Sequence, residues 1–189
     1  MSSTTDRILR EAWRLCRERP VHEVTVADVA RASGVSRQAL YLHFGDRAGL
    51  LTAAVRHHDE TSGFVKRVYE SFDMPPREGL ERLLRAWCAY MHDIEPVARA
   101  LAAGALLGDE SGLTWEDRMR DLRRAIKTHM RRLEQQGALA PGWTADRATD
   151  WAYARTHLAS WRALVRERRW SQREATDRLV GSLLAELIV

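Results

Sequence analysis

Residues 25–51, TVADVARASGVSRQALYLHFGDRAGLL, constrain the fold of this chain more than any other stretch. Thr25 followed by Asp28 is an approximate capping box, with Asp where Glu is usual, and it opens a helix. Val26, Val29 and Ala30 give that helix an apolar stripe at i, i+3, i+4. Gly34 is a left-handed stop. Ser36 then caps a second helix that carries Arg37, Gln38, Tyr41 and His43 outward, with Ala39, Leu40 and Phe44 on its small or apolar side. Two helices joined by a short Gly-containing turn form a helix-turn-helix unit, whose second helix lies in the major groove of DNA.

The polar residues of that second helix suit the groove. Arg37 and Gln38 hold the first exposed positions, where side chains reach base edges. Arg forks onto guanine O6 and N7, and Gln pairs with adenine N6 and N7. Ser36 can bond a phosphate or a base. Tyr41 and His43 lie further along and suit phosphate oxygens. Thr25 and Arg47 stand at helix N-termini, where backbone N–H groups and the helix dipole favour a phosphate. The competing reading makes Arg37 and Gln38 plain solvated surface, and the intact motif around them weighs against it.

The run GVSRQALYLHFGDRAGLL resembles the signature of the TetR family of bacterial transcriptional regulators, and RILREAWRLCRERPVHEVTVADVARASGVS is similar to that family's first two helices. Three positions depart from the family pattern: Cys16 where Phe is common, Pro20 where Gly is common, and Arg47 where Lys is common. The resemblance covers the first quarter to third of the chain. It implies the same DNA-contacting roles for Thr25, Ser36, Arg37, Gln38, Tyr41, His43 and Arg47. It also implies a C-terminal pocket for an inducer.

The remaining sequence reads as helix after helix, with no alternating strand pattern and no internal repeat. Helix one runs from about Thr5 to Arg19, with Ile8, Leu9, Ala12, Trp13, Leu15 and Cys16 on its buried side and Pro20 ending it. A long connector runs from Asp46 towards Tyr69. A break at 74–78 precedes a helix carrying Leu80, Leu83, Leu84, Trp87, Met91 and Ile94, and Pro96 starts another. GDESG at 108–112 reads as a loop. Trp115 to Leu133 mark the next helix, which Gly137 stops. Thr144 caps a helix to about Arg168, and Ser171 with Glu174 caps the last one. About nine helices are expected, giving an all-α fold: a helix-turn-helix DNA-binding domain over 1–50 and a helical ligand-binding and dimerisation domain over 51–189.

Composition sets the outer bounds. A chain of 189 residues can bury a real core, and a net charge of +4 is compatible with a nucleic-acid partner. Cys16 and Cys88 are in no metal or redox spacing and read as small core residues. No signal-peptide core and no run of eighteen apolar residues is present, so a cytoplasmic protein without a membrane partner is expected. HExxH, GxSxG and CxxC are all missing, and the scattered His, Cys and carboxylates suggest no catalytic set, metal or cofactor.

Six of the seven Trp lie beyond residue 86. A Trp at helical spacing is more often core than ligand wall. His129 and His157 on apolar faces are likewise ordinary core histidines. Apolar walls with few polar groups also describe a pocket between bundle helices. The candidate lining is Trp87, Tyr90, Met91, Trp115, His129 and Trp151, with Arg155 as an anion partner. The last two helices carry more apolar surface than one core face needs. Leu158, Trp161, Val165, Leu179, Leu183 and Leu187 are therefore candidates for a two-fold, four-helix dimer interface. The expected protein is a homodimeric regulator on palindromic double-stranded operator DNA, a repressor released by a small apolar or aromatic inducer. The rival is a constitutive or architectural DNA-binding protein, which does not need so large a second domain.

Overall fold

The computed structural model describes residues 3–106 and 110–189. The described residues are all-α, with one isolated antiparallel bridge between Leu139 and Ile188. They fall into two compact units, Met1–Gly63 with Pro96–Asp117, and Phe64–Glu95 with Arg118–Val189. A boundary at residue 50 would cut through a helix that packs on the first helix of the chain.

The first unit contains α1 (Thr4–Glu18), a 3-10 turn (Val21–Glu23), α2 (Val26–Ser33), α3 (Arg37–Phe44) and α4 (Arg47–Thr61). Capping boxes open α1 at Ser3 and Asp6, and α2 at Thr25 and Asp28. α1 packs on α2 and α4, and α3 packs on α2 and α4. The core is built from Ile8, Leu9, Ala12, Trp13 and Cys16 of α1, Val29 and Ala30 of α2, Leu40 of α3, and Leu50, Leu51 and Ala54 of α4. Each large apolar side chain buried there stabilises the unit by about 1.5–3 kcal/mol. Trp13 and His58 stack with ring centroids 3.9 Å apart, tying α1 to α4.

The second unit contains α5 (Phe64–Phe72), the first part of α6 (Pro76–Leu106), the later part of α7 (Glu110–Gln135), α8 (Ala145–Arg155), α9 (Leu158–Arg162), a π-helical turn (Ala163–Glu167) and α10 (Gln172–Leu187). Leu80, Leu83, Leu84, Met91, Ile126, Met130, Leu133, Trp161, Leu183 and Leu187 are fully or almost fully buried. Burial also pushes the Cys88 thiol up to about 12 and that of Cys16 in the first unit to about 11. Neither sulfur is a ready nucleophile at neutral pH, which fits their reading as core residues.

Four helix boundaries differ from expectation. The connector expected from Asp46 to Tyr69 is broken, because Gly63 takes a positive φ of 74° between α4 and α5. Pro96 does not start a helix but lies inside α6, where Val97, Ala98 and Leu101 are buried beyond it. Of the loop expected at 108–112, residues 110–112 belong to α7, while Gly108 and Asp109 lie outside the described residues. The helix expected from 145 to 168 ends at Arg155. There the Thr156 carbonyl leaves the helical ladder and accepts the Trp87 indole N–H at 2.8 Å. His157 recaps the chain as α9 begins.

Candidate nucleic-acid interface

Local sequence chemistry sets the geometry of α2 and α3. Gly34 closes α2 at φ 66°, ψ 34°. Its N–H bonds back to the last turn, and residues 34–36 form the short link to α3. The Ser36 hydroxyl accepts the Ala39 N–H at 3.1 Å and so starts α3, with its own proton free to donate. Gly45 then ends α3 with φ 77°. At Gly49 a Cβ would lie 2.0 Å from the Phe44 carbonyl oxygen, so only glycine admits this approach of α3 to α4.

α3 buries Leu40 completely and turns the rest of its length outward. Ser36, Arg37, Gln38, Tyr41 and His43 are exposed together on one helix, as the motif requires. Leu42 joins them and is 81 % exposed, the most exposed large apolar side chain of the described residues. Sequence reasoning missed it, although its position beside Tyr41 and His43 on a helix with one core contact was the available signal. An apolar side chain at this place can pack against the methyl of thymine.

Two of the expected phosphate ligands are engaged elsewhere. Thr25 donates its hydroxyl to Asp28 Oδ2 at 2.6 Å and its backbone N–H to the same oxygen at 3.0 Å. These bonds, the hydroxyl first, hold the Asp28 carboxyl down to about 2, and Arg19 adds to the effect with an ion pair at 2.8 Å. Thr25 is therefore a cap with both donors occupied. Arg47 is turned back into the protein: its Nε donates to the Val24 carbonyl at 2.8 Å and its Nη2 to that of Val21. The fork bridges α4 to the turn before α2. Arg in place of Lys makes this possible, because a guanidinium reaches two carbonyls at once.

Residues 8–54, which contain both helices of this unit, match the family model described as bacterial regulatory proteins, tetR family. This segment is similar to the helix-turn-helix segment of the TetR family, and the match covers about a quarter of the chain. Two curated relatives from Pseudomonas putida are similar over part of their length. The Probable HTH-type transcriptional regulator ArpR is 35% identical over 82 residues, 43% of this chain. The HTH-type transcriptional regulator TtgR is 37% identical over 70 residues, 37% of this chain. The matched segments span only 39% and 33% of those relatives. The TetR-like fold extends further. A protein described as a TetR-family transcriptional regulator from Rhodococcus sp. superposes with a TM-score of 0.79 at 23% identity, over 99% of this chain and 100% of that one. A transcriptional regulator from Saccharomonospora viridis, solved in complex with choline, gives 0.82 at 22% identity, over 98% and 97%.

The expected ligand residues are divided between the two compact units. Trp87, Tyr90 and Met91 are buried on α6, where Phe64 stacks on Tyr90 at 4.4 Å and lies 5.8 Å from Trp87. Trp115 belongs to the first compact unit. His129 is fully buried, 3.0 Å from the Ser71 hydroxyl and stacked on Phe72. The Ser71 proton goes to the Val68 carbonyl at 2.6 Å, so His129 Nε2 is the donor to Ser71 and the ring is neutral. Burial, with Arg132 nearby, lowers its pKa to about 4. Trp151 is at the surface, donating to Glu186 at 3.0 Å with the Arg155 guanidinium 5.3 Å over its ring. Trp151 and Arg155 thus form a pair at the surface of their unit.

Five of the six expected interface residues are packed within their own unit, and Val165 is not. Leu158, Trp161, Leu179, Leu183 and Leu187 are buried inside the subunit, and Val165 alone is half-exposed, in the π-helical turn. The apolar surface of those five is consumed by their own unit. The outward faces are Trp151 and Ala154 of α8, with half-buried Arg155, and Gly181, Ser182 and Ala185 of α10.

Proposed function

We propose that this chain is a transcriptional regulator that binds a palindromic operator as a homodimer and is released by a small apolar or aromatic molecule. The observation that carries this reading is the exposed row Arg37, Gln38, Tyr41, Leu42 and His43 on α3, a helix backed on α2 and α4. Arg37 and Gln38 read base edges, Leu42 packs on a thymine methyl, and Ser36, Tyr41 and His43 bond phosphates.

A second copy of the chain packs on α8 and α10. Gly181 lies inside α10, where glycine costs about 0.5–1 kcal/mol against alanine. A Cβ there would meet nothing within 4 Å, so the fold of one subunit gives no reason for the glycine. Close approach of a partner helix does. Gly181, Ser182 and Ala185 form the place of contact, rimmed by Trp151 and Arg155. Two-fold symmetry then sets the two α3 helices about 34–36 Å apart, one turn of DNA. The inducer wall is Phe64, Trp87, Tyr90 and Met91, an aromatic cluster of the kind that takes apolar molecules and cationic head groups. The relative crystallised with choline is consistent with that chemistry.

The test is selection of operators from a random duplex pool. The wild-type chain enriches a two-fold sequence, and Arg37→Ala loses base preference at one position in each half-site. An unchanged selection profile for Arg37→Ala refutes the assignment of α3 as the reading helix.

A further inference from the structure

The first unit contains a cleft of about 370 Å³, open to solvent on one side and formed by α1, the end of α3 and the outer side of α4. Its walls are apolar at Leu9, Phe44, Gly49 and Ala53, and polar at His43, Thr52, Arg56, His57 and Glu60. The close approach at Gly49 brings the end of α3 onto α4 and so shapes one side. His57 is held on the α1 side, its Nδ1 4.0 Å from Asp6 Oδ1. None of this belongs to the outward row of α3 except His43, which is shared.

The charges at the rim are unusual in one respect. Arg56 and Glu60 lie one helical turn apart on α4, a spacing at which opposite charges commonly pair. Here they do not. Both are exposed, both line the cleft, and among the described residues neither makes an ion pair. The cleft therefore presents one unpaired cation and one unpaired anion beside an apolar wall. A volume of this size is at the lower end of the range of small-molecule sites.

We infer that this cleft binds a small zwitterion with an apolar arm, an apolar α-amino acid by class, with its carboxylate on Arg56, its ammonium on Glu60 and its side chain against Leu9, Phe44 and Ala53. Guanidinium and carboxylate groups at a half-open rim make charge-assisted bonds stronger than neutral ones. His43 lines this cleft and is also on the outward row of α3, so a ligand seated against Phe44 lies beside the side chain that faces a phosphate. Ligand and DNA then weaken each other by the same factor. This last consequence rests on the reading of α3 as the DNA-contacting helix, whereas the site itself does not.

The experiment uses the full chain and three matched probes: L-phenylalanine, 3-phenylpropanoate and 2-phenylethylammonium. The methyl resonances of Leu9 and Ala53 report occupancy of this cleft and not of the second unit. L-Phenylalanine is expected to shift both methyls saturably and to bind about tenfold more tightly than either singly charged probe, the size of one bond to a charged group. Arg56→Gln removes the advantage over 2-phenylethylammonium, and Glu60→Gln removes the advantage over 3-phenylpropanoate. Both positions are exposed, so the variants keep the fold. Methyls that do not respond, or affinities that neither variant changes, overturn the site. A second titration adds a duplex selected by the wild-type chain. L-Phenylalanine affinity is expected to fall several-fold, and an unchanged affinity with duplex bound overturns the coupling. If no duplex binds at all, the DNA reading of α3 fails, and the methyl titration still decides the cleft.

Discussion

Arg47 separates two physical roles that the sequence alone leaves merged. Its guanidinium donates to the carbonyls of Val21 and Val24, residues 6% and 1% exposed. Arg47→Ala removes both bonds and leaves the Val24 oxygen without its donor, while the Val21 oxygen keeps the Val24 N–H. A hydrogen bond to a charged group contributes about 1.5–3 kcal/mol, and the half-exposed position of Arg47 favours the lower end. The sum for two bonds is roughly 2–4 kcal/mol. In a chain of 189 residues each 1 kcal/mol moves Tm by about 2–4 °C, so a drop of roughly 5–15 °C is expected. Arg47→Lys restores one bond at most, because an ammonium lacks the fork. The assay is calorimetry on wild type, Arg47→Ala and Arg47→Lys, together with the salt dependence of DNA binding at a temperature where all three are folded. A phosphate ligand would change the slope of log K against log salt by roughly one unit on substitution. An unaltered Tm combined with a reduced slope refutes the latch and returns Arg47 to the DNA.

Other substitutions test the remaining parts. Arg37→Ala or Gln38→Ala should cost about 1–3 kcal/mol on the preferred operator and little on random duplex, by fluorescence anisotropy, whereas Tyr41→Phe should weaken both alike. Leu42→Ala should relax selection at a thymine, and a selected sequence indifferent to residue 42 removes that contact. Gly181→Ala should leave the subunit folded but weaken the dimer, and Gly181→Trp should yield monomer by light scattering at micromolar concentration; a dimeric Gly181→Trp places the interface elsewhere. His129 is neutral when folded and has its pKa lowered to about 4, below the unfolded value near 6.5, so the unfolded chain binds the extra proton. Its contribution is complete above pH 6.5 and declines as pH falls towards 4, by up to about 3 kcal/mol. Urea titrations across that window should show a shallower decline for His129→Asn, and identical pH slopes refute the assignment.

The parts of the chain that could be read from sequence are those where a local rule acts alone. Thr25, Ser36, Asp46 and Thr144 cap helices as expected, since each bond spans three residues. Gly34 and Gly137 stop helices because only their backbone takes positive φ without strain. What escaped depends on tertiary partners. Thr156 breaks a helix with good propensity because Trp87, distant in sequence, claims its carbonyl. Leu158, Trp161 and Leu183 look like surplus apolar surface until α9 and α10 are folded onto their own unit. Arg47 has the same charge whether it points at a phosphate or at Val24, and periodicity is blind to that choice. Gly63 is visible as a breaker, but an apolar pattern continues on either side of it and masks the stop.

The pairing of Ser71 with His129 has a mechanical consequence. Arg132, one turn further along α7, donates to the carbonyls of Phe72 and Met74 at 2.8 and 3.0 Å. Gly79 on α6 presses so close to His129 that a Cβ there would lie 2.6 Å from the ring. The end of α5, the bend at 73–75, the start of α6 and this stretch of α7 are thus bolted at several points. Sliding α7 by one turn would strand the imidazole, two carbonyls and the guanidinium together. Any rearrangement of the second unit must carry this corner as a single rigid block and take up its strain elsewhere, as at the π-helical turn of residues 163–167, where the helical ladder is already out of step.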